Sequence, residues 1–319
     1  MKPEAPLPAN HETPRGLPPV TPPSGRFMVQ MFLVPGLIIA VAVFIVMGLG
    51  YLVSGARSTD NFLRELDSSN ADIRWRGAHD LAQVLKRPES LALASDPKFA
   101  LDLAERLRKG LGELESEEKA TAERVAGQAP EEQEKAWRGL AAQRNHVLYL
   151  AACLGDFTVP VGVPLLSEMA LKEDGPELKS VALRRRRAVW ALANLGENFK
   201  RRYQGIDAQP GEKVLSDAQK EAIVAELKQE TKVRGERALW ANNALSYVVQ
   251  PDPTDDFLRE RTVGADKSLE QCAKAQDPYL RSLVALALNF WDGPRVEETL
   301  RGLAHDDGHG PRIEINEND

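Results

Sequence analysis

Two cysteines in 319 residues, with no Cys-x-x-Cys pair, leave nothing from which a disulfide framework or a zinc knuckle could be built. Cys153 and Cys272 both lie in Ala-rich helical surroundings and read as small buried hydrophobes. Aromatic residues make up only 6% of the chain, and β-branched runs are scarce outside one N-terminal stretch, which argues against an all-β or parallel-sheet domain. A phosphate-binding glycine loop, a nucleophile elbow and a His-Glu-x-x-His pair are missing as well, so the chain is not expected to be an enzyme, and no catalytic residue or cofactor is assigned. The formal net charge of −6 leaves no basic excess. Nucleic acid is therefore not an expected partner, because phosphate contacts supply most non-specific affinity.

Charge is absent altogether from Phe27 to Val53. Between Met31 and Leu52 this stretch holds thirteen Leu, Ile, Phe or Val residues, which together favour insertion of a helix into a bilayer by about 5 kcal/mol. The expectation is a single transmembrane helix over 27–53, with the lipid bilayer as its partner and a single-pass membrane localisation. A cleaved secretory signal is the competing reading, for Ser54-Gly55-Ala56 offers small residues, but the apolar run exceeds the ~7 to 15 residues of a signal core. Gly36 and Ala40 form a small-xxx-small pair that could seat another helix, which leaves self-association open. Lys2, Arg15 and Arg26 precede the stretch and Arg57, Arg64, Arg74 and Arg76 follow it, a slight lean toward a cytoplasmic C-terminal region. Residues 1–26, rich in proline, read as a disordered tail, and 305–319 as a second tail.

The remainder, 54–304, repeats itself. Ile73-Arg74 is followed by Ala78 and Leu85, Leu183-Arg184 by Ala188 and Leu195, and Val233-Arg234 by Ala238 and Leu245, with the same spacing each time. Leu280-Arg281 followed by Ala285 is a partial fourth copy, and Leu154-Gly155-Asp156 matches Leu195-Gly196-Glu197 forty-one positions later. Steps of 41, 50 and 47 residues fit the ~40 to 47 of a two-helix repeat. The spacing predicts one apolar helix face carrying the leading residue, the Ala and the Leu, with the Ala at a close helix crossing. A cation near a helix start is disfavoured by the dipole, so the repeated Arg is expected to reach an acidic group or carbonyl of an adjacent turn.

This pattern resembles the HEAT-repeat family, on the strength of Asn70-Ala71-Asp72-Ile73-Arg74 through Leu85, Leu183 through Gly196 and Val233 through Leu245. The resemblance implies an all-α fold, a HEAT-like α-solenoid of paired antiparallel helices used as a scaffold or adaptor for a protein or peptide partner. The lyase-type members of that family supply the alternative of a cofactor-handling enzyme. The sequence departs from a regular array between Leu85 and Leu154. There, Asp96 to Leu114 is spaced as a helix, and 113–136 reads as an acidic insertion, either a solvated excursion or a surface for a basic partner.

The candidate binding residues are Arg184, Arg187, Trp190, Asn194, Arg234, Trp240 and Asn243. Arg184-Arg185-Arg186-Arg187 is the densest positive cluster, and with Lys200-Arg201-Arg202 it could meet phosphate, anionic lipid headgroups or an acidic peptide. Four successive helical residues fan over nearly all faces, however, and cannot form one flat patch, which favours a structural or solubility role. Trp190 and Trp240 occupy equivalent repeat positions and serve either as groove anchors or as core. Asn194 and Asn243 follow them on the same helices, where an amide can meet an extended peptide backbone. His305, Asp306, Asp307 and His309 lie close together, but a Gly-rich turn near a chain end explains them without a metal, and none is assigned. Ser216 to Gln219 is expected to be a capping box opening a helix to about Glu230, and Arg201 to Val214 and Val248 to Ala265 are expected to be long loops.

Overall fold

The computed structural model describes residues 59–172, 180–249, 264–293 and 295–304, together with Leu33, Gly36, Leu37, residues 39–41 and Val43 of the apolar stretch. Contacts divide the chain into Met1–Arg57 and Ser58–Asp319, and every element below belongs to the second unit. Among the described residues all regular structure is helical. The elements are α1 (Thr59–Leu66), α2 (Ala71–Leu85), α3 (Pro97–Val125), α4 (Pro130–Arg138), α5 (Ala141–Gly155) and α6 (Val163–Leu171). They continue with α7 (Val181–Asn198), α8 (Asp217–Glu230), α9 (Glu236–Val248), α10 (Ala265–Cys272), α11 (Pro278–Leu288) and α12 (Val296–Ala304).

The single-pass membrane localisation is corrected here: among the described residues no helix is long and apolar enough to cross a membrane. At ~1.5 Å per residue a ~30 Å hydrocarbon core needs about 20 uncharged helical residues. The 29-residue α3 has the length but carries charge throughout. Of 27–53, the described residues are helical and exposed. The rest of that stretch, the tails at 1–26 and 305–319 with the His305 cluster, and residues 250–263 of the expected Val248–Ala265 loop lie outside the described residues.

Local chemistry sets the helix starts. The Asn70 side chain accepts from the Asp72 amide at 2.8 Å ahead of α2. Asp96 accepts from the Phe99 amide at 2.9 Å, with Pro97 occupying the first turn of α3, where a missing amide proton is harmless. The Ser216–Gln219 capping box is present and α8 ends at Glu230, as the sequence indicates.

Packing joins α1 to α2, α3 to α5, α6 to α7 and α10 to α11, and the second members of these pairs lie side by side in the order α2, α5, α7, α11. The crossings are close because the residues there are small. Cys153 of α5 donates its thiol proton to the Ala78 carbonyl of α2 at 3.3 Å, so the two backbones nearly touch where the repeat carries its alanine. A methyl group on Gly155 would come within 2.8 Å of the Ala191 backbone of α7, and one on Gly196 within 2.7 Å of the Trp291 indole. These two glycines, matched in the sequence, do the same work at successive crossings.

Three expectations about the array change. The leading apolar residues Ile73, Leu183 and Val233 are not core: they are 46%, 45% and 46% exposed, whereas Ala78, Leu85, Ala188 and Leu195 are fully buried. Five helical residues sweep about 140°, so a leading residue cannot share the face of the Ala that follows it. The hairpin α8–α9, counted as the third copy, does not stand between α7 and α11. It packs on α3, α6 and the Pro160–Gly162 turn, and α7 meets α11 directly. The acidic stretch within 113–136 is no solvated excursion in its first half, for α3 runs unbroken to Val125 with Glu118 and Thr121 buried.

Candidate binding face

Side chains left outward on α2, α5, α7 and α11 touch one another across the helices and so form one face. Trp75 of α2 stacks on Tyr149 of α5 at 6.3 Å between ring centroids, and His79 meets the same tyrosine edge-on at 5.0 Å. Lys86, at the C-terminal cap of α2, lies 5.3 Å from the centroid of Trp190 on α7, and Arg187 lies 5.4 Å from the same ring. Arg186 bridges α7 to α11, donating to Asp277 at 2.7 Å and covering the Tyr279 ring at 5.2 Å. Leu183 of α7 and Leu286 and Tyr279 of α11 stand exposed along these ridges.

Beneath the Trp190 cluster lies Asp156, the residue that caps α5. It is 3% exposed and its Oδ2 atom has no hydrogen-bond partner. Burial pushes its carboxyl up to about 7, against the opposing pull of the Lys86, Arg202 and Arg187 charges. On the α5 side, His146 is buried with Nδ1 unpartnered, and desolvation holds it down at about 4. Burial also raises the thiols of Cys153 and Cys272, neither of which is disulfide-bonded.

The four successive arginines go to four places. Arg184 is buried and donates to Glu115 at 3.2 Å and Glu118 at 3.4 Å, both on α3. Arg185 donates to the Ala170 carbonyl at the end of α6 at 3.0 Å, Arg186 turns to α11 and Arg187 to Trp190. Arg184 is thus withdrawn from the surface, and Glu115 and Glu118 of the acidic stretch meet a basic partner within the chain. Beside it, a cavity of about 110 Å³ is lined by Arg108, Glu115, Glu168, Lys172 and Arg184, and the charges there are already joined in ion pairs.

Of the candidates, Arg187 and Trp190 come together, and Asn194, half-buried, lies one turn further along the same ridge. Trp240 and Asn243 are buried in the α8–α9 hairpin, and Arg234 is exposed in the turn before α9, so these three join neither each other at a surface nor the Trp190 cluster. The cause is a register shift. Gly235, at φ 99°, holds a backbone conformation open to glycine, and α9 starts only at Glu236. Arg237 therefore takes the place expected of Arg234, donating to Asp102 and Glu230 at 2.6 Å each. In two other copies the repeated arginine reaches carbonyls of the preceding turn as expected: Arg74 those of Ser68 and Ser69, Arg281 those of Ala275 and Gln276.

Sequence reasoning missed Trp75, Tyr149, Lys86 and Asp156. The last two stand at the ends of repeat copies, directly after Leu85 and after Leu154-Gly155, and that shared position was the available signal. Among the described residues no group of His, Cys, Asp or Glu is arranged to hold a metal ion. Comparison with family models, with curated proteins and with solved structures gives no match.

Proposed function

We propose that this protein is a helical-repeat scaffold of the α-solenoid kind, whose face on α2, α5, α7 and α11 docks a protein or peptide partner. The observation that carries this reading is the run of outward aromatic and apolar side chains across four neighbouring helices, from the half-buried Trp75, Tyr149 and Trp190 to the exposed Leu183, Tyr279 and Leu286. Aromatic and arginine side chains in such a setting are the usual anchors of protein recognition, and contiguous apolar exposure on a chain otherwise rich in charge marks an interaction surface. The HEAT-like resemblance supports the same reading through the leading residues Ile73 and Leu183, which the repeat holds outward rather than in the core.

The test is partner capture by the full chain with cross-link mapping, comparing Leu183→Asp with Glu221→Lys on the exposed side of α8. A saturable partner should be cross-linked to α5, α7 or α11, lost in the first variant and kept in the second. Equal capture by both variants, or cross-links confined to other helices, overturns the proposal.

A further inference from the structure

The three cations stacked on the tryptophans of this face differ from the ion-paired arginines of α7 and the turn that follows it. Arg186 is paired with Asp277, Arg201 with Glu197 and Glu212, and Arg202 with Glu212. Arg76 lies over the Trp75 ring at 5.7 Å, and Lys86 and Arg187 converge on Trp190, yet none of the three forms an ion pair with a described residue. In a chain with 47 acidic and 41 basic residues, carboxylates are not in short supply. Asp156, whose carboxyl feels the Lys86 and Arg187 charges, is buried and makes no ion pair among the described residues. An indole flanked by two cations offers a flat apolar platform and an unmet demand for negative charge at the same point.

We propose that the occupant of this face is an acidic peptide segment in extended conformation, with a carboxylate side chain received by Lys86 and Arg187 over Trp190. The inference rests on the docking reading above and adds the partner's chemistry. Packed helices lie ~8–10 Å apart and an extended chain advances ~3.3 Å per residue, so neighbouring ridges are met by peptide positions about three apart. The acidic residue at Trp190 is then flanked, about three residues to either side, by apolar residues facing the Trp75–Tyr149 pair and the Tyr279–Leu286 ridge. A nucleic acid fits less well, because Asp72 accepts from the Trp75 indole at 3.1 Å and Asp80 lies 3.4 Å from His79, which puts carboxylates on the α2 part of the face.

Two fluorescein-labelled probes, Leu-Ser-Ser-Glu-Ser-Ser-Leu and its counterpart with Lys in place of Glu, test this by anisotropy with the full chain. The Glu probe is expected to saturate and to bind about tenfold more tightly than the Lys probe. Lys86→Glu combined with Arg187→Glu is expected to reverse that order, Lys86 being exposed and Arg187 half-buried, with circular dichroism confirming the fold. The milder Arg187→Gln should cut the preference for Glu without reversing it. Equal binding of the two probes, no binding of either, or a preference that ignores the charge swap overturns the acidic-peptide inference, as does displacement of the Glu probe by equimolar inorganic phosphate. Each of these leaves the docking proposal standing if Leu183→Asp still abolishes partner capture; if capture too is unaffected, the docking reading itself falls.

Discussion

Replacing Asp156 with asparagine should stabilise this protein at alkaline pH and lose that advantage in acid. The sign is opposite to that of most carboxylates. Its folded-state value is raised from 3.8 to about 7, so the folded chain holds the proton more tightly than the unfolded one. Ionisation therefore weakens the fold: the penalty is absent below pH ~4, grows through pH 4–7 and is complete above about 7. A rise of about 3 pH units corresponds to a ceiling of ~4 kcal/mol, and an amide with unmet hydrogen bonds returns ~1–3 kcal/mol of that, leaving a net gain of about 1–3 kcal/mol at pH 8. Urea unfolding of the wild type and Asp156→Asn at pH 8 and pH 4 reads this directly. The variant's advantage should shrink toward zero or change sign in acid. A stability difference that is the same at both pH values would refute the assignment of a buried, proton-holding carboxyl.

His146 supplies the opposing trend. Its folded value of about 4 lies below the ordinary 6.5, so stability is full above pH 6.5 and falls as pH drops through the interval to 4, by up to ~3 kcal/mol; His146→Leu should flatten that acid limb in the same urea series. Gly155→Ala should cost about 3 kcal/mol or more, because the added methyl meets backbone atoms of Ala191 rather than a side chain able to turn aside, and the thermal midpoint would show it. Arg184→Met should destabilise by about 3–5 kcal/mol by stranding the buried Glu118, and adding Glu118→Gln should recover much of the loss, a coupling that a double-mutant cycle measures.

The parts of this structure written in short-range chemistry were readable in the sequence. Ser216 with Gln219 announced α8, and the alanines and leucines of the repeat marked the helix crossings. Arg74 and Arg281 turned back to carbonyls because a cation has little else to do near a helix start. What depended on distant partners was not readable. The repeat pointed Arg184 toward an acidic group or carbonyl, but not toward Glu115 and Glu118, more than sixty residues away, and so it also stood among the binding candidates. Val233-Arg234 matched the repeat in spacing, yet the glycine after it shifts the helix start and passes the role to Arg237. Nothing local in α8 and α9 says that this hairpin leaves the row and lets α7 meet α11. The site was half visible: Arg187 and Trp190 were picked for their types, but their companions Lys86 and Asp156 come from the ends of two other helices.

At Gly155 main chain rests on the main chain of Ala191, and at Gly196 main chain rests on the Phe290 and Trp291 side chains, so each glycine holds its neighbour at a fixed close approach. The outward residues of the same helices take no part in those contacts. Substitution can therefore rewrite what the ridges present while the ruler on which they are mounted keeps its graduation, and a descendant of this chain can change its outer face without refolding its frame.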